Sequence, residues 1–377
     1  MTVLTVVLAV LTVASWGFYL AQAIATWQFF KAKVVVHGEP SPRVSILVPI
    51  CGLDVGAWEN WSSLCEQDYP DYEVLFGVMD ESDAAVPLLR TLVEQYGARV
   101  RLFIGLPALG PNHKDSNVGH LLREARSDWF IFSDSDICVR PDYIRTVMGP
   151  LWHGGFGMVT CAYIARNPKF FGAALASLGR CCDFIPSILI ARLMDGGVKL
   201  GIGVTMAMSR KVLEAAGGIV YNRIGSDYNL GMRVVRSGQK VALSRYVLES
   251  DTGDEGWRSV YERELRWSRT IRFNRGAVYY AQGICFGTVY GLALLILTGF
   301  APWAVGLFAI TLGLRYGQAW LAARLMGATG LVRRWFGLIL LRDGLSFWVW
   351  LMGCGGRRIV WRGRRLRVQG DGVIREI

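Results

Sequence analysis

Apolar and polar positions divide the chain into three stretches. Residues 1–30 carry no charged side chain, and the first charges are Lys31 and Lys33. A helix of about 20 apolar residues crosses a bilayer, so residues 1–30 predict an N-terminal transmembrane anchor. A signal peptide is the alternative, and Ala21-Gln22-Ala23 resembles a cleavage site. No basic n-region precedes the run, however, and the run is too long for one. Residues 42–275 have the composition of a soluble domain. Strand-like runs fall at Val44–Ile50, Tyr72–Val78, Val100–Ile104, Trp129–Ser133 and Gly157–Tyr163, with helical patterns at Ala84–Tyr96 and Val118–Ala125 between them. Strands alternating with helices predict an α/β domain with a mainly parallel sheet, whose ligands sit beyond the carboxyl ends of the strands. From Gly276 the chain is apolar again. Tyr279–Phe300 and Ala301–Ala322 are each long enough to span, and a third run, Trp335–Gly355, is interrupted by Arg342 and Asp343.

Composition agrees with membrane segments: 52% of residues are hydrophobic and 19% charged. The formal net charge of +11 is locally concentrated, with six arginines between Arg357 and Arg367. Such a cluster suits nucleic acid or anionic lipid, and its place after a hydrophobic stretch favours lipid head groups over nucleic acid. The eight cysteines form no CxxC pair and the four histidines no metal-ligand spacing. The cysteines therefore read as reduced, which puts the polar part of the chain in the cytoplasm. Lys31 and Lys33 give the same orientation by the positive-inside rule. Four parts follow: an anchor (1–30), a cytoplasmic α/β domain (42–275), membrane helices (276–356) and a basic cytoplasmic tail (357–377). If Trp335–Gly355 spanned, the arginines would lie outside, and Arg342 and Asp343 would sit near the bilayer centre, where a charge costs at least ~2.5–3.5 kcal/mol. A re-entrant or interfacial hairpin removes both problems and leaves two C-terminal crossings. The alternative is a true span in which Arg342 and Asp343 are paired. The expectation is an integral, multi-pass protein of a bacterial inner membrane.

Acidic residues fall where a parallel sheet would place its ligands. Ile131-Phe132-Ser133-Asp134-Ser135-Asp136 ends an apolar strand in two carboxylates two residues apart, which can point the same way. A divalent cation carrying diphosphate oxygens would neutralise them, although acidic doublets are also common in turns. Asp80 closes another strand, either as an Asx turn with Ser82 or as a carboxylate beside a nucleotide. Lys114 stands before a helix pattern, where it could meet a phosphate while Ser116 or Asn117 caps the helix. Asp227, at the start of a further helix pattern, is an N-cap or a general base. Arg263, Arg266 and Trp267 lie in a cationic run that fits either a surface-lying amphipathic helix or a clamp on a diphosphate with an indole near the acceptor.

In this order the residues resemble a known group, the lipid glycosyltransferases that join ceramide glucosyltransferases with bacterial hopanoid-linked glycosyltransferases. The resemblance rests on Val44–Pro49, Phe76–Asp80, Arg101–Gly105, Asn112-His113-Lys114, Ser133–Ile137, Asp227-Tyr228, Arg263-x-x-Arg266-Trp267 and Trp361–Arg364. It implies a GT-A fold, Mg²⁺ or Mn²⁺, a UDP-sugar donor, a ceramide or hopanoid acceptor, and an inverting single displacement. By position, Asp80 and Lys114 would contact the nucleotide sugar, Asp134 and Asp136 the metal and diphosphate, and Asp227 would be the base. Arg263, Arg266 and Trp267 would hold the diphosphate and the acceptor end. One departure stands out: relatives often carry an acidic residue just before the base, where this chain has Ser226. A processive polysaccharide synthase of the same fold would need more spanning helices. A non-catalytic scaffold would not need every acidic position.

Overall fold

The computed structural model describes residues 2–32, 42–165, 168–251, 256–370 and 372–377. It separates into two compact units: Lys33–Arg166 with Asp195–Gly253 and Leu366–Ile377, and Met1–Ala32 with Asn167–Met194 and Asp254–Arg365.

The first unit holds one sheet of eight strands. They are β1 (Val44–Ile50), β2 (Tyr72–Val78), β3 (Val100–Ile104), β4 (Trp129–Ser133), β5 (Ile137–Cys138), β6 (Met158–Ala165), β7 (Thr205–Ser209) and β8 (Val241–Ser250), in the order β3-β2-β1-β4-β7-β6-β8-β5. The first four are parallel neighbours, with β1 between β2 and β4. The β1 and β2 side chains are almost all buried, as continuous apolar runs require when both faces of a parallel sheet are covered. From β1 the chain steps outward to β2 and β3, then crosses back to β4 on the other side of β1. That reversal opens a crevice at the carboxyl ends of β1 and β4. β7 is antiparallel to both β4 and β6, and β5 to β8, so the far half of the sheet is mixed. β7 and β8 have no clear signature in the sequence: β7 is five residues with two methionines, and β8 mixes Ser, Arg and Glu into its run. A hairpin of Arg364–Val368 and Ile374–Glu376 closes the chain, and Ile374 donates its backbone N–H to the Asn222 carbonyl at 2.8 Å.

The second unit is helical. Val3–Lys31 is a single helix of 29 residues; Lys33 lies outside the described residues. Among the described residues three helices are long and apolar enough to cross a membrane: Val3–Lys31, Phe171–Met194 and Thr329–Gly353. A fourth arises if Ala277–Cys285 and Gly287–Leu297, bent by 53°, count as one. Three sequence expectations change here. Phe171–Met194, inside the stretch of soluble composition, packs with the apolar helices. Tyr279–Phe300 is broken in its first third. The hairpin expected over Trp335–Gly355 is not formed: Thr329–Gly353 continues through a short 3₁₀ turn at Phe336–Leu338. The reason lies in the two charges that argued against a straight helix. Asp343 receives the Arg315 guanidinium at 2.6–3.1 Å, and Arg342 reaches Glu264 at 2.5 Å, so neither is buried alone.

Candidate active site

In the sheet unit, five predicted positions stand on turns and helix starts beyond the strands. Asp80 follows β2 and is exposed; its Oδ1 accepts from the Ser82 N–H at 2.9 Å and the Ser82 hydroxyl at 2.7 Å, an Asx turn. Those two bonds hold its carboxyl below the ordinary range. Asp83 in the same turn accepts from the Gly52 N–H at 2.8 Å and so ties the end of β2 to the end of β1.

Asp134 and Asp136 lie in the turn between β4 and β5, not within the strand. Strand alternation is therefore not what orients them. The Asp134 N–H is anchored on the Val204 carbonyl at 3.2 Å. The Asp136 carbonyl accepts from the Asp251 N–H at 2.6 Å, and its Oδ2 accepts from the Ser250 hydroxyl at 3.2 Å. The Ser135 carbonyl accepts from the Trp61 indole at 3.1 Å. Three separate segments thus hold this turn.

The helix His113–Glu124 begins earlier than its sequence pattern suggests. Its cap is Asn112, whose Oδ1 accepts the Asp115 N–H at 3.1 Å, rather than Ser116 or Asn117. Lys114 is thereby placed in the first turn, where its ammonium pairs with Asp134. Burial opposes the charge on Lys114, but Asp134 first, then Asp227 and Asp115, outweigh it and hold the ammonium above the usual lysine range.

Asp227 is not an N-cap. The cap is Gly225, in the left-handed region at φ +60°, and Asp227 follows in the first turn of Ser226–Arg236. Its Oδ2 accepts from the Gly203 N–H at 2.9 Å and its Oδ1 from the Tyr228 N–H at 2.8 Å. Glycine at position 203 leaves room for this approach, since a Cβ there would stand 3.0 Å from the Asp227 Oδ2. Burial pushes the Asp227 carboxyl up, opposed by the Lys114 ammonium and by its two backbone donors.

One neighbour was not singled out from the sequence. Asp115 is buried beside Lys114 and accepts from the Ser226 hydroxyl at 3.0 Å and the Asn112 amide at 2.6 Å. Burial pushes its carboxyl up to about 7, against the pull of Lys114 and Ser226. A carboxylate thus stands one hydrogen bond from the residue preceding Asp227, contributed by a segment 111 residues away. No sequence pattern could have announced it.

Arg263, Arg266 and Trp267 belong to the helical unit, on the helix Trp257–Arg275. The Arg263 guanidinium lies 5.3 Å from the centre of the Trp267 ring and that of Arg180 5.8 Å, so two cations flank one indole. Arg266 lies over Trp361 at 5.1 Å. Arg269 donates to the Gly355 carbonyl at 3.3 Å and also to that of Arg358, while Arg272 donates to that of Gly356, so this helix holds the start of the arginine-rich tail.

Comparison with known proteins identifies relatives of the chain. The family described as Glycosyl transferase family 21 matches residues 7–374. Ceramide glucosyltransferase 3 of Caenorhabditis elegans is 26% identical over 242 residues, which is 60% of this chain and 50% of the relative. Ceramide glucosyltransferase 1 of the same species is 26% identical over 257 residues, 66% and 54% respectively. The chain spans about half the length of these curated relatives. Among solved structures, the mannosyltransferase PcManGT from Pyrobaculum calidifontis, in complex with GDP-Man and Mn²⁺, matches with a TM-score of 0.55 over 92% of this chain and 99% of its own, at 18% identity. That is a likeness of fold, and it makes the sheet one that resembles GT-A glycosyltransferases.

Proposed function

Because this chain belongs to glycosyl transferase family 21, we propose that it moves one hexose from a UDP-sugar to the hydroxyl of a membrane lipid, with ceramide as the first acceptor to test. The observation that carries this reading is the meeting of Asp227, Lys114 and Asp134 beyond the β1–β4 crevice. It brings together a raised, fixed carboxylate, a cation, and a carboxylate that the cation neutralises. Asp227 takes the proton of the acceptor hydroxyl as the new bond forms, and its two backbone donors keep it in one orientation. Lys114 would meet the donor's phosphates. Asp80 stands on the turn beyond β2 that would face the nucleotide. Arg263, Arg266 and Trp267 act on the diphosphate and the acceptor end.

The donor set fits a divalent metal. Among the described residues no group of three His, Cys, Asp or Glu could hold one. Mg²⁺, however, is ordinarily bound through one or two carboxylates plus substrate phosphates, and Asp134 and Asp136 supply two. When bound, Mg²⁺ or Mn²⁺ would neutralise the leaving diphosphate.

The test is incubation with a panel of UDP-sugars and lipid extract, reading products by mass spectrometry. One sugar on ceramide is expected; a polymer, or no product with any donor, would overturn the reading. The linkage is informative too. With Asp227 as the base, a single displacement turns a UDP-α-sugar into a β-linked product, and a small anomeric proton coupling typical of an α-linkage would refute that.

The hairpin at the chain end supports one membrane topology. Ile224 donates to the Gly372 carbonyl at 3.0 Å and Ile374 to the Asn222 carbonyl, so residues 366–377 belong to the sheet unit. Both ends of the stretch between Gly253 and Leu366 then lie on one side of the membrane, and its number of crossings is even. The bent pair Ala277–Leu297 and Thr329–Gly353, the two candidate spans in that stretch, would then cross together or not at all. The same argument applies to Phe171–Met194, which leaves β6 and returns to its neighbour β7 and so is no single crossing. The exposed arginines at 357, 358 and 362 then face the anionic cytoplasmic leaflet. An impermeant thiol reagent is expected to leave Gly370→Cys at the level of its parent in intact cells and to label it in inside-out vesicles. Labelling from outside would reverse this topology.

A further inference from the structure

Glu264 sits inside the cationic run, between Arg263 and Arg266, with its side chain only 7% exposed. It accepts from Arg342 Nη1 at 2.5 Å. The pair does not end there. Arg342 Nε lies 3.7 Å from Asp183 Oδ2, Asp183 Oδ1 lies 2.7 Å from Arg315 Nη2, and Arg315 forks onto Asp343. The Asp343 Oδ2 also accepts from the Thr288 hydroxyl at 2.7 Å. Five charged side chains from four helices thus form one chain inside a unit built of apolar helices.

Two local features serve this chain. Asp183 is carried on a π-helical turn, Arg180–Phe184, a rare distortion frequent at functional sites. Gly179, one turn earlier, lies against the Arg342 guanidinium, and a Cβ there would collide with it. The backbone at 179 leaves the room that Arg342 occupies.

Simple anchoring would not require ions. Buried ion pairs are often replaceable by apolar side chains of similar volume without loss of stability, whereas a charge pair selects one arrangement. Here the selected quantity is the rotation of Trp257–Arg275 about its own axis. Successive residues are turned by about 100°, so only one setting brings a given carboxylate onto Arg342. The other acid on this helix, Glu262, points elsewhere and pairs with Arg258 at 2.9 Å.

We propose that Glu264, Arg342, Asp183, Arg315 and Asp343 are positioning residues: together they set the rotation of Trp257–Arg275 and hold Arg263, Arg266 and Trp267 in one orientation. This rests on the reading above that those three residues act in the transfer.

Two readouts test it. With 5-fluorotryptophan incorporated and the Trp267 line assigned by Trp267→Phe, the wild-type protein shows one fluorine line for Trp267. Arg342→Gln and Gly179→Ala each split or broaden that line, and Arg342→Lys restores it in part by keeping a cation beside Glu264. Turnover in the first two falls by up to about 10²-fold, the scale expected for a displacement of about 1 Å at a reacting centre. If Arg342→Gln does not fold, Gly179→Ala carries the same test without removing a charge. A sharp wild-type fluorine line and wild-type turnover in Gly179→Ala, with at most a lower melting temperature, would overturn the positioning role. Absence of any transfer by the wild-type protein would instead count against the functional reading, and the fluorine line would still decide the positioning.

Discussion

Asp227→Asn binds the UDP-sugar as the wild-type protein does and turns it over ~10²–10⁴-fold more slowly, the range that a general base contributes. The carboxylate has one oxygen on the Gly203 N–H and the other on the Tyr228 N–H. Asparagine can keep one of these bonds, but its amide nitrogen then faces the other donor. A stability cost of about 1–3 kcal/mol accompanies the substitution, as for any buried donor left unpaired. Donor binding by calorimetry separates the two effects: a folded variant that binds and does not turn over identifies the base. The pH profile gives an independent check. Burial raises the Asp227 carboxyl, with Lys114 pulling against it. The base works only when ionised, so activity falls as pH drops through that raised value, and the acid limb lies above the ordinary aspartate range near 4. In Asp227→Asn that limb disappears. Wild-type turnover in the variant would show that the proton goes elsewhere.

Asp134→Ala and Asp136→Ala each weaken UDP-sugar binding as well as turnover, and excess chelator does the same to the wild-type protein. The expected loss in turnover is on the order of 10²–10³-fold, comparable to removing one fixed electrostatic contact at a developing charge. The two substitutions differ in a further respect. Asp136 is tied to Ser250 and Asp251, so its removal loosens the turn between β4 and β5. Asp134 is the partner of Lys114. Without it the ammonium is left to Asp227, which lowers the basicity of the base in addition to losing a metal ligand. Asp134→Ala is therefore the more damaging of the two, and Asp134→Asn shares that penalty. Calorimetric titration of UDP with and without Mn²⁺ measures the binding part. Full activity in excess chelator would sink the metal role of both residues.

Much of the framework was legible from local pattern. The runs at 44–50, 72–78, 100–104 and 129–133 became strands over those same residues, because a short, mostly apolar run bounded by polar turns has few other ways to be buried. The acidic residues after those strands could be picked out because a parallel sheet gathers its carboxyl ends on one edge. The roles of individual caps were less legible. Asn112 took the place expected of Ser116 or Asn117, and Gly225 took the cap that was the alternative reading of Asp227, since several neighbouring residues could each have capped and only the backbone path chooses between them.

What the sequence alone determined, then, is the alternation of apolar and polar stretches and the residue types at the strand ends, both properties of short segments. The tertiary structure decided the pairings. Arg315 meets Asp343 across 28 residues, Arg342 meets Glu264 across 78, and Ser226 meets Asp115 across 111. Trp335–Gly355 shows the consequence. Read locally, two charges in an apolar run argue for a hairpin, because an unpaired charge in the bilayer is costly. In the folded chain each has a partner from a distant helix, and the helix stays straight enough to remain a candidate span. The cost of burying a charge depends on what lies within a few ångströms of it, and that is fixed only when the helices pack.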